Sequence, residues 1–189
     1  DNNIRHTFEL AIGGHNLTND ISIGLRTPLA EAEKVKIEHG TCLSNGIKKG
    51  ETIQVPNVGK KGTKTLSREI LAEIIEPRIE EIFTLLKEEV YRNGLENHFP
   101  SGLVLTGGSV VLDGISDTAE SVFNAPARIG EPESIGGLKD IVRNPAYATG
   151  VGLVIFGSKK SGCVEITEGR DTNFSRVIKR MKQWFKDII

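Results

Sequence analysis

The chain has 189 residues, 38% of them hydrophobic, enough apolar material to bury a core in one ordinary domain or two small ones. Its 24 Lys and Arg nearly balance 25 Asp and Glu, and a formal charge of -1 exerts no global pull toward nucleic acid or an acidic surface. Cys42 and Cys163 form no CxxC, and His6, His15, His39 and His98 have no ligand spacing, so neither a metal site nor a disulfide framework is expected. No apolar run approaches the ~20 residues that span a bilayer.

In chain order, TFELAI (7–12) suits a strand, and GGHN follows as a turn. TNDISIGL then leads into a helix from Pro28 to His39, with Thr27 placed to cap it, Pro28 at its first position and Gly40 placed to close it in a left-handed conformation. Residues 46–63 are polar and Gly-rich around a short strand, ETIQVPNV. The next helical region, SREILAEIIEPRIEEIFTLLKEEVYRNG, carries Ile70, Ile74, Phe83, Leu86 and Val90 near helical period, and Pro77 is expected to kink or divide it. SGLVLTGGSVVLDGI reads as an apolar strand broken by Gly107 and Gly108, then a helix through Phe123, with PARIGEP a further strand. NPAYATGVGLVIFG suits a helix capped by Asn144 with Pro145 first, and Ser158 to Asn173 reads as a polar linker. Strands alternating with helices favour an α/β or mixed architecture. Beginning at Asp1 on a strand-like stretch, without Met, the sequence reads as a piece of something longer.

LVLTGG sets two glycines at the end of an apolar strand, where open α/β sheets bind ligands because a Cβ would block close approach. A tight turn explains the same pair. It is neither GxxxxGK[ST] nor GxGxxG. AEAEKVKIEHG puts Glu33, Lys34 and Lys36 on about one turn, a pattern that a solvated charged face also produces. Arg78 sits among Glu76, Glu80 and Glu81, so a local ion pair accounts for it without a partner. No Ser/His/Asp set, nucleophilic Cys arrangement or HExxH occurs, so the chain displays no catalytic machinery of its own.

The chain ends FSRVIKRMKQWFKDII. At 100° per residue Phe174, Val177, Ile178, Met181, Trp184, Phe185, Ile188 and Ile189 fall in one arc of roughly 140°. Arg176, Lys179, Arg180, Lys182 and Lys186 occupy the remainder. Core docking is one use of such a stripe. The preceding polar stretch and five cations against one Asp187 favour a helix lying in a membrane interface, aromatic side chains at headgroup depth and cations toward anionic lipid.

Taken together, IGGHNLTNDISIGLRTPLAEAEKVKIEHG, LAEIIEPRIEEIF, GLVLTGGSVVLDGI, ARIGEPESIGGLKDIVRNPAYATGVGLVIFG and the closing helix resemble the C-terminal half of the FtsA family of bacterial actin-like cell-division proteins, over essentially the whole chain. The resemblance implies an actin-like (ribonuclease-H-like) α/β lobe with an inserted α+β subdomain. Residues 1–23 and 100–157 would form subdomain 2A, 24–99 the insertion 2B, 158–173 a linker and 174–189 a membrane-targeting helix. It implies ATP with Mg2+ between two lobes, approached here by Gly107, Gly108, Glu33 and Lys36, with Ala146 to Gly152 as the second connecting motif. The hairpins that hold the phosphates would precede Asp1, so residues 1–189 alone are expected to bind ATP poorly and not to hydrolyse it. Arg78 resembles the position that binds the acidic C-terminal tail of FtsZ, the alternative being its pairing with Glu81. Self-association as an actin-like polymer, other division proteins, and attachment of the terminal helix to the inner face of the cytoplasmic membrane at the division site are likewise implied. A phosphotransferase or chaperone ATPase of the same superfamily is one competing reading, which the linker and basic terminal helix disfavour; a pilus-assembly ATPase-like scaffold is another, which is not expected to match the TNDISIGL and EPR stretches so closely.

Overall fold

The computed structural model describes residues 4–59, 62–96, 101–133 and 142–160. The chain divides into two units, Asp1–Val151 and Gly152–Ile189. The first holds helices α1 (Gly14–Gly24), α2 (Leu29–His39), α3 (Arg68–Arg92) and α4 (Ile115–Phe123), with strands β1 (Thr52–Pro56), β2 (Thr63–Ser67), β3 (Leu103–Leu105) and β4 (Ala127–Ile129). A helix α5 (Ala148–Lys160) continues into the second, of which residues 152–160 are described. Among the described residues no helix is long and apolar enough to cross a membrane.

Apolar residues four apart build the core. Leu17 and Ile21 on α1, with Leu25 at its C-cap, face Leu71, Ile75, Ile79 and Phe83 on α3, all buried. That spacing places each set on one helical stripe, and each large aliphatic side chain so buried contributes about 1.5–3 kcal/mol against exposure. Ala32 and Val35 of α2, Ile53 and Val55 of β1, and Ile115 and Ala119 of α4 complete it. The buried face of α3 lies about one residue from the Ile70–Ile74 register expected from periodicity: Ile70 is exposed and Leu71 wholly buried. Pro77 neither ends nor divides α3, which runs unbroken. It stands on the exposed side, where water can take the carbonyl it leaves without a partner.

β1 and β2 form an antiparallel hairpin, Thr52 opposite Ser67 and Pro56 opposite Thr63. β3 and β4 pair in parallel, Leu103 opposite Ala127, with α4 as the crossover that parallel pairing requires. The expected strand TFELAI does not form: residues 4–13 carry no regular element, since no strand among the described residues offers them a ladder. GGHN is not a turn either but the start of α1, where the Asn16 carboxamide accepts the Gly13 N–H at 3.0 Å and the Asn16 N–H is donated to Gly13 O at 3.0 Å. Thr27 does not cap α2; its buried hydroxyl donates to Pro56 O at 2.8 Å, tying the helix entry to β1. Gly40 has φ -65°, not a left-handed conformation, and is small for another reason: a Cβ there would lie 2.3 Å from Lys36 O and 2.7 Å from Leu112 Cδ2. The Asn144 cap stands, its side chain accepting from the Ala146 N–H at 2.9 Å, with Pro145 opening a 3-10 turn before α5.

Candidate functional site

The start of α1 and the second half of α2 meet through one ammonium group. Lys36 Nζ donates to Gly14 O at 3.2 Å, Thr18 Oγ1 at 2.8 Å and Glu33 Oε2 at 2.7 Å, three acceptors for three protons. The Lys36 side chain is only 8% exposed, and the three acceptors are what make burial of its charge tolerable. The Thr18 hydroxyl lies between Gly14 O, at 2.9 Å, and Glu33 Oε2, one of which takes its single proton. Partial burial works against the charged form of Glu33, but hydrogen bonds from Lys36 and Thr18 and the nearby charges of Lys36 and His15 outweigh it. They hold the carboxyl below its ordinary range.

The turn after β3 comes to the same place. A Cβ on Gly14 would stand 2.3 Å from Ser109 Oγ and 3.7 Å from Lys36 Nζ, so the start of α1 packs directly against the segment that follows Gly107 and Gly108. Gly107 has φ +111° and ψ -179°, a conformation L side chains rarely adopt, and donates its N–H to Pro145 O at 3.2 Å. Nothing lies within 4 Å of where its Cβ would be, and Gly108 looks toward the Ala146 Cβ at 4.0 Å. A flat ligand can therefore lie against this backbone. Beside it an apolar cavity of about 360 Å³ opens between α1, α3 and β3, edged by Gly13, Gly14, Thr106 and Ser109.

Glu33 and Lys36 are thus linked to the Gly107–Gly108 turn through Gly14 and Ser109. Sequence reasoning missed Gly14, Thr18 and Ser109. The spacing of Gly14 and Thr18, four apart at a helix start, was the available signal, and it was masked by reading GGHN as a turn.

Arg78 belongs to a separate groove between α1 and α3. Its Nε donates to Asp20 Oδ2 and its Nη1 to Glu81 Oε2. Asp20, 58 positions away in sequence, is a partner that local pairing could not foresee, whereas Glu81 is the neighbour expected. These residues line a cavity of about 250 Å³ with Glu73, Ile74 and Pro77. Phe174, Val177, Ile178, Met181, Trp184, Phe185, Ile188, Lys179, Arg180, Lys182 and Lys186 lie outside the described residues.

The chain is similar to the crystal structure of MreB 5 of Spiroplasma citri bound to AMPPNP (TM-score 0.63, 17% identity, 82% of this chain and 46% of that one). It is similar also to the ADP-bound form of that protein (TM-score 0.61, 18% identity, 85% and 48%). The fold is actin-like. The family model described as cell division protein FtsA matches residues 1–152. The chain is 43% identical over 187 residues to the cell division protein FtsA of Pseudomonas aeruginosa, covering 96% of this chain and 45% of the relative. It is 35% identical over 192 residues to that of Escherichia coli K12, covering 97% and 46%. The chain belongs to the FtsA family of cell division proteins, and it spans about half the length of the curated relatives it matches.

Proposed function

We propose that this chain is the second lobe of an actin-like, ATP-binding adaptor that polymerises and joins FtsZ filaments to the inner face of the cytoplasmic membrane. In this reading residues 1–23 and 100–157 are subdomain 2A and 24–99 are subdomain 2B; α5 runs on through Lys160, past the expected linker start at Ser158, so the proposed linker to the membrane helix at 174–189 begins after it. The observation that carries the nucleotide part is the contact of the Glu33–Lys36–Thr18 cluster, through Gly14 and Ser109, with the Gly107–Gly108 turn. Two sequence-distant segments thereby form one surface. Its open glycine backbone suits an adenine ring and its ionised Glu33 suits ribose hydroxyls. Lys36, with all three protons engaged inside the protein, keeps Glu33 charged and placed. The phosphates and Mg2+ are left to hairpins that the family resemblance puts before Asp1.

Adenosine titrated into the 189-residue chain and followed by saturation-transfer NMR tests this surface. The expected signal is weak, and it is lost in Glu33→Gln and in Gly107→Val. Full signal in both variants refutes the assignment, and a nanomolar ATP affinity of the chain by calorimetry refutes the expectation of poor binding. The adaptor role is tested by pelleting FtsZ with anionic vesicles. FtsZ is expected in the pellet only when the chain is present, with Arg78→Glu abolishing recruitment and the chain itself still bound.

A further inference from the structure

We propose that Arg78 is held in check by its own neighbours: Glu81 occupies the guanidinium as an internal competitor, and Asp20 aims it, so that an incoming peptide carboxylate must displace Glu81 and not Asp20. This rests on the reading that Arg78 receives an acidic tail peptide.

The two ion pairs are unequal. Asp20 reaches Arg78 from another helix and takes Nε, the donor that fixes the plane of the guanidinium. Its side chain, like that of Arg78, is 29% exposed. Glu81 sits one turn along the same helix, takes Nη1, and is 51% exposed. A pair of that exposure contributes little and breaks by rotation of one side chain. Among the described residues two of the five guanidinium donors are used, and release of Glu81 opens the Nη edge for a bidentate carboxylate.

The surroundings define the ligand. Asp20, Glu73 and Glu81 set three carboxylates around one arginine, so a bare anion is repelled. Ile74 and Pro77 line the same cavity of about 250 Å³ and offer apolar contact. The ligand that offsets the repulsion is a peptide carrying a carboxylate next to an apolar side chain, the first on Arg78 and the second against Ile74 and Pro77.

A fluorescently labelled FtsZ tail peptide, titrated by anisotropy into the 189-residue chain, separates the outcomes. Glu81→Gln is expected to tighten binding about two- to five-fold, the range a half-exposed ion pair allows. Glu80→Gln makes the same charge change at an exposed position on the same helix and is expected to leave affinity nearly unchanged. Equal effects of the two overturn the competitor role. Asp20→Ala is expected to weaken binding although it removes a negative charge; tightening overturns the aiming role. Arg78→Ala, with folding checked by thermal melting, is expected to abolish binding. Wild-type affinity in Arg78→Ala defeats the reading of Arg78 itself, whereas loss there with no gain in Glu81→Gln defeats only the inference.

Discussion

Lys36→Met is the most informative perturbation of the α1–α2 junction. The substitution keeps an apolar stem of similar length in a site only 8% exposed, but removes the donor from Gly14 O, Thr18 Oγ1 and Glu33 Oε2. Removing one partner of a fully buried ion pair costs about 3–5 kcal/mol. Here the Glu33 side chain is 45% exposed and can rehydrate, and Thr18 can still donate to it, so the loss is discounted to about 1–2 kcal/mol. With a urea slope of about 1–3 kcal/mol per molar, the midpoint falls by roughly 0.3–2 M, readily followed by circular dichroism. Glu33→Gln added to Lys36→Met is expected to cost less than the sum of the single changes, since the two side chains touch. The pH dependence has a definite sign. The folded-state pKa of Glu33 lies below the ordinary 4.5, so its contribution is complete above that value and is lost as the pH falls through the lower, folded one. The stability gap between wild type and Glu33→Gln therefore narrows only in that acidic window. A Lys36→Met midpoint equal to wild type, or a Glu33→Gln gap that does not narrow in acid, refutes the reasoning.

Ile75→Ala, at a wholly buried position between α1 and α3, is expected to destabilise by about 2–5 kcal/mol in the same urea titration, while Ile70→Ala on the exposed side of α3 costs under about 1 kcal/mol. Cys42 is fully buried and its thiol is pushed up to about 12, first by that burial and then by Asp113 and Glu76. In a Cys163→Ser background the folded chain is expected to resist iodoacetamide at pH 8 and to react on adding urea. Trp184, the single tryptophan, is expected to shift its emission to the blue on adding anionic vesicles but not neutral ones, and an unchanged spectrum removes the membrane-interface reading of the terminal helix.

The existence of the α2, α3 and α4 helices, the β1 strand, the β3 turn with its two glycines and the Asn144 cap were legible in the amino-acid order, because each depends on near neighbours and a local period. Family membership was legible too, carried by the order and spacing of several modest motifs. What periodicity misplaced was the buried face of α3. Ile70–Ile74 and Leu71–Ile75 both satisfy a four-residue spacing, and only the position of Leu17 and Ile21 on α1 selects between them. TFELAI failed as a strand for a related reason: alternation makes a strand possible, but a ladder partner makes it real.

The candidate site divides along the same line. Glu33 and Lys36 are visible as a charged pair one turn apart, and Gly107–Gly108 as a break after a strand. That the two lie against each other through Gly14 and Ser109 is a long-range fact of packing. Likewise Glu81 beside Arg78 is helical arithmetic, whereas Asp20, 58 positions earlier, is brought to the guanidinium only by the crossing of α1 over α3. By itself the sequence carried the family and the places of α2, α3, α4, α5, β1, β3 and β4, since propensity and spacing act locally, whereas α1 and β2 were not legible in it and TFELAI only resembled a strand. Tertiary structure alone decided which face is buried, which charge meets which, and why a side chain at Gly40 would collide with Leu112 and Ile75, because those are set by contacts between residues far apart on the chain.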